Sequence, residues 1–243
     1  MSKYRTLYLW MIIPMVLMQL GIARDYWGDF TENTWAVHVH YWCATLWYAF
    51  LVVQPWLATH GRMELHRTNG MIGLFLAGGV AIGALSMMHR DLVYVQLATE
   101  DPVRFGPFTP DFFYGVAVVE ILMVMLFSLA VVMAIVRRKQ IEEHAWWLVS
   151  TVFIIMMPAL GRGIQGVFIM AQADHWPDVE IFAANVLSQA IIIAVTLAFA
   201  WKYGKLKHPA TWCAVAINLI AVAVFQIGSV SWIQVLLSSV IKG

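Results

Sequence analysis

Apolar side chains run through this sequence in seven long blocks, near 7–22, 34–58, 69–88, 112–136, 145–169, 181–201 and 212–237, joined by polar connections. A helix needs about 20 apolar residues to cross the hydrocarbon of a bilayer, which these blocks approach or exceed. A barrel strand would alternate apolar and polar positions. Ala190-Ile191-Ile192-Ile193-Ala194-Val195 and Val116-Ala117-Val118-Val119 are apolar throughout. The expected fold is all-α, a polytopic bundle of seven transmembrane helices built as a single domain over residues 1–243.

Basic residues set the expected orientation. Lys3 and Arg5, Arg62 and Arg67, Arg137 to Lys139, and Lys202, Lys205 and Lys207 fall in alternate connections, which the positive-inside rule assigns to the cytoplasm. The amino terminus is then inside and the carboxyl terminus outside. Composition agrees with a lipid partner: 61% of residues are hydrophobic and 12% charged, and the mean hydropathy is +0.74. An integral protein of a bacterial inner membrane is expected. The net charge of +1 gives no reason to expect nucleic acid. No small-residue cleavage site follows the first block, which reads as a retained anchor. Trp27, Trp35, Trp146, Trp147, Trp176 and Trp201 fall near span ends, where indole rings anchor at the interface. Cys43 and Cys213 lie too far apart to bridge. The connection over 89–111, with Pro102, Pro107 and Pro110, reads as a surface loop or a lid over the outer mouth.

Ionisable groups inside the blocks are few, and each is costly in hydrocarbon unless it faces a partner or a cavity. Glu120 lies about 12 Å into the fourth span and Arg162 about 10 Å from the outer end of the fifth, at 1.5 Å per residue. They are placed to pair, either as a helix lock or as the catalytic centre of an outward-facing polar site that also draws on Gln165, Asn185 and Gln189. Asn185 and Gln189 are one helical turn apart and share a face. Pro158, Gly161, Gly163 and Gly166 loosen the helix around Arg162, which favours a buried or cavity-lining position. In the third span, Gly79 and Gly83 predict tight helix packing or a flat cofactor against the helix.

Histidines supply the remaining chemistry. His66 and His144 both enter the bundle from the cytoplasmic side, and two neutral imidazoles on neighbouring helices can hold a haem iron axially. His40 or His38, with His89, forms a second candidate pair on the outer side. His38, His40, His89 and His175, with Asp174 or Asp178, could instead ligate zinc and leave a water position open. Met87, Met88 and His89 suggest copper.

His66-Arg67-Thr68-Asn69-Gly70, Glu143-His144-Ala145-Trp146 and Pro158-Ala159-Leu160-Gly161-Arg162 resemble the motifs of a family of bacterial multi-span proteins of unassigned function. That family is distantly similar to the transmembrane di-haem b-type cytochromes. The resemblance covers the second to fifth spans and implies a four-helix core in which His66 and His144 ligate one haem. The fourth span has no histidine for a second haem; His89 would have to substitute. The expected function is a membrane-embedded redox protein transferring electrons through haem b, in exchange with a redox partner or a quinone. The alternatives are a zinc-dependent membrane hydrolase, without HExxH, and a transporter or accessory subunit using Glu120 and Arg162.

Overall fold

The structure is a computed structural model that describes residues 4–241. These residues form helices α1 (Leu7–Gly21), α2 (Trp35–Thr59), α3 (Met63–Glu100), α4 (Pro102–Phe105), α5 (Pro110–Val136), α6 (Ile141–Ile154), α7 (Met157–Ala171), α8 (Ile181–Tyr203), α9 (Pro209–Val222), α10 (Val224–Gly228) and α11 (Ser231–Ile241), with short helical turns between some of them and no strand among the described residues. Five helical stretches are long and apolar enough to cross a membrane: α2, α3, α5, the α6–α7 pair and α8. With 15 and 14 residues, α1 and α9 reach only about 20 Å at 1.5 Å per residue, short of the roughly 30 Å hydrocarbon.

The break between α6 and α7 follows from Pro158, which has no N–H for the carbonyl of Ile154 and crowds it sterically. Freed carbonyls at membrane depth need other donors. Tyr48 Oη donates to the Val152 carbonyl at 2.7 Å and Asn218 Nδ2 to that of Phe153 at 3.0 Å. The same device recurs at the end of α9, where Asn185 Nδ2 donates to the Ala221 carbonyl at 2.9 Å.

Two expected spans have different shapes. The hydrophobic block at 69–88 is part of a 38-residue helix, about 57 Å long. Hydropathy falls after residue 88, but the buried positions Val80, Met87, Asp91, Val95 and Ala98 keep helical spacing and pack on α5 and α11. The expected loop therefore shrinks to the segment around α4. The block at 212–237 is divided among α9, α10 and α11. α10 turns across the start of α5, and the contact admits no side chain: a Cβ on Gly115 would stand 1.8 Å from the Val224 carbonyl oxygen, and one on Gly228 1.7 Å from that of Asp111.

α6 lies at the centre, against α5, α9, α8, α1 and α2. Trp146 and Trp147 on it are therefore core residues, 1% and 4% exposed, rather than interfacial anchors. Trp146 Nε1 donates to Thr211 Oγ1 at 2.9 Å. Trp35 and Trp201, at 79% and 75% exposure, keep the surface positions expected of anchors. Gly79 and Gly83 meet Cys43 and His40 of α2, so this face serves close helix packing and leaves no room for a flat cofactor.

Candidate functional site

Polar residues inside the bundle fall into two groups at opposite ends of α2, α3 and α5. At the end where α3 begins and α5 finishes, α2, α3, α5 and α6 surround a cavity of about 820 Å³. His66, in the first turn of α3, and His144, in the first turn of α6, both line it. Their ring centroids are 6.3 Å apart with planes at 88°. His144 Nδ1 lies 2.8 Å from the Ala134 carbonyl oxygen. A carbonyl only accepts, so Nδ1 carries the proton and the Nε2 lone pair is left free.

This arrangement suits a metal held between two imidazoles. Nitrogens about 2.0–2.1 Å from a shared ion, with ring centres about 1 Å behind them, put the centroids about 6 Å apart. The walls also fit a large flat group. A Cβ on Gly70 would meet nothing within 4 Å, the Gln54 amide is buried with both polar atoms unpartnered, as is His66 Nδ1, and Arg67 and Arg138 line the rim.

At the other end, Glu120 and Arg162 line two adjoining cavities, of about 60 and 290 Å³. They share this site without forming an ion pair. Arg162 Nη1 donates to the Tyr41 hydroxyl, and Glu120 Oε2 is buried with no partner. The larger cavity is also lined by Asp25, Arg90, Asp91, Tyr94, Gln165 and Asn185. Arg90 pairs with Asp91 Oδ1 at 3.1 Å, and its guanidinium lies 5.5 Å from the centroid of the Tyr94 ring. Asp91 Oδ2 is buried and unpartnered. Asn185 and Gln189 are joined, Gln189 Nε2 donating to Asn185 Oδ1 at 3.2 Å, but Asn185 serves chiefly to brace the end of α9.

Arg90, Asp91 and Tyr94 were hidden from a reading by hydropathy because they sit past residue 88. The signal that finds them is the unbroken spacing of the α3 core positions. The remaining histidines are scattered. His40 lines the smaller outer cavity against Gly83, His38 meets the Tyr26 hydroxyl at 3.0 Å, and His89 and His175 are exposed. Met87 faces the small cavity while His89 points away on the same helix. Among the described residues, no three His, Cys, Asp or Glu side chains converge as a metal group, so the zinc set is not assembled; His89 is exposed while His40 lines the small cavity. No family model, curated protein or solved structure matches this chain.

Proposed function

We propose that the protein is a haem b electron carrier of the bacterial inner membrane. In this reading the chain crosses the bilayer seven times, from an inner amino terminus to an outer carboxyl terminus, and His66 and His144 hold one haem in the inner cavity. The observation that carries the reading is the approach of these two imidazoles, both lining a cavity of about 820 Å³, to a ring separation of 6.3 Å. When bound there, haem would supply a one-electron iron couple, and His66 and His144 are the residues that would hold it.

The chain's own residues account for retention and orientation. The Ala134 carbonyl fixes the His144 tautomer, as outer partners do for metal-bound histidines generally. Arg67 and Arg138 are the residues that would pair with the haem carboxylates, because a guanidinium matches a carboxylate fork. Trp47 and Phe50 line the cavity, and Trp47 packs edge-on to Phe127, ring centroids 5.3 Å apart.

Protein purified from cells supplied with haem precursor should show a b-type band on dithionite reduction. His66→Ala and His144→Ala should each abolish the band while the protein still elutes as a folded species. A colourless wild-type preparation that also fails to take up added hemin overturns the reading.

A further inference from the structure

Two carboxylate oxygens from the wall of the larger cavity find no donor. Glu120 and Asp91 are 4% and 3% exposed, and each has one carboxylate oxygen, Glu120 Oε2 and Asp91 Oδ2, buried without a partner. A carboxylate is acceptor-only when ionised, and burying one uncompensated is expensive. Asp91 has Arg90 as its counter-ion through Oδ1, which leaves Oδ2 open, and Arg162 donates to Tyr41. Neither guanidinium is within ion-pair distance of Glu120.

The lining also contains a set of rings. Phe105 and Phe108, from the α4 segment, meet Phe112 and Phe113 of α5 and Tyr94 of α3, with neighbouring centroids 5.4–6.5 Å apart. The α4 segment is held in place from outside: Trp176 Nε1 donates to the Val103 carbonyl at 3.0 Å, and the Trp176 ring lies where a Cβ on Gly106 would be, 2.6 Å away. Exposed Asp25 also lines the cavity, and its charge favours the approach of cations.

We propose that this cavity binds a small organic cation: an ammonium group carried on an aromatic or short hydrocarbon body. The ammonium supplies N–H donors to Glu120 and Asp91, and ring faces attract the same charge. A hard metal ion would gain nothing from the rings, and among the described residues no three His, Cys, Asp or Glu side chains converge to hold one. The volume of about 290 Å³ is at the lower edge of the roughly 300–1,000 Å³ of small-molecule sites, so the ligand is the size of a single-ring amine. This site is separate from the inner cavity, and the proposal stands or falls independently of haem.

The test uses the full-length protein in detergent, with 2-phenylethylammonium as the probe, 2-phenylethanol as its uncharged counterpart and phenylacetate as the anion. The cation should raise the unfolding temperature in a concentration-dependent way, and the alcohol and the anion should not. Calorimetric titration should show affinity for the cation reduced about tenfold or more in both Glu120→Gln and Asp91→Asn. The comparison of the three probes needs no variant, so it remains decisive if either substitution impairs folding. Equal stabilisation by the alcohol, preference for phenylacetate, or no response to the cation at millimolar concentration overturns the proposal. The last of these outcomes would mean that water and a proton alone satisfy the two carboxylates.

Discussion

His208 is a residue whose protonation state can be read from its bonds. Nδ1 accepts the Ala210 N–H at 3.1 Å, capping the start of α9, so the ring proton must sit on Nε2, where it meets Glu143 Oε2 at 3.1 Å. Burial pushes the imidazole below its ordinary value, against the opposing pull of Glu143. A second proton would occupy Nδ1 and remove the cap. Because the folded-state value is depressed, the contribution is present above the unfolded histidine value of about 6.5 and is lost as pH falls below it. Unfolding temperature measured from pH 8 down to pH 5 should therefore decline in this window. His208→Asn keeps a capping side chain that does not titrate, and it should make the decline shallower. An identical pH profile in the two proteins would remove His208 from the account.

At the scale of elements, the joint between α10 and α5 is the least tolerant contact in the fold. Gly115→Ala would place a methyl group 1.8 Å from the Val224 carbonyl oxygen. Backbone on both sides leaves no flexible side chain to move, so the cost should reach or exceed the 1–3 kcal/mol typical of overpacking, about 1–3 kcal/mol or more. Gly70→Ala, with nothing within 4 Å of its Cβ, should leave the unfolding temperature of the haem-free protein close to wild type. Equal, small effects of the two substitutions would contradict the close approach at α10. This joint also marks where the sequence stopped being informative. Hydropathy locates apolar blocks, and it placed α2, α5 and α8 to within about two residues of 34–58, 112–136 and 181–201. It does not register bends, so a single block at 212–237 gave no sign of the turns at Ala223 and at Ser229 and Val230. It also ended the third span at 88, although Met87, Asp91, Val95 and Ala98 continue the buried stripe. That Glu120 and Arg162 meet at one level of the bundle was legible because rise per residue is fixed. Their failure to pair was not, because Tyr41 competes for Arg162 from another helix. The facing of His66 and His144 was legible only as a shared side of entry; its separation depends on how α3 and α6 pack.

Across the whole molecule, the cavities follow one another along the bundle. The 820 Å³ cavity holds His66 and His144, the 60 Å³ cavity adjoins Met123 and Phe127, and the 290 Å³ cavity holds Asp91 and Arg90. Trp47, Phe50 and Phe127 stand between the first and second, their rings packed at 5.3 and 5.7 Å. Which end faces the cytoplasm decides toward which compartment each cavity lies. By the positive-inside rule the basic connections predict that the His66 and His144 end is cytoplasmic. The path of the chain carries the start of α9 and the whole of α11 to opposite ends of the bundle. α9 begins beside Glu143, through His208. α11 instead packs at the far end of α5: Gln234 Nε2 donates to Asp111 Oδ1 at 2.9 Å, and Ser238 Oγ lies 2.7 Å from the Tyr114 hydroxyl. The 27 residues of α5, about 40 Å of helix, separate that end from Lys139. A reporter fused after Lys139 should therefore read as cytoplasmic and one fused after Gly243 as external, although α9 alone is too short to span. If both fusions report the same side, the last three helices fold back without crossing. The inner cavity and the end of the chain would then share a compartment.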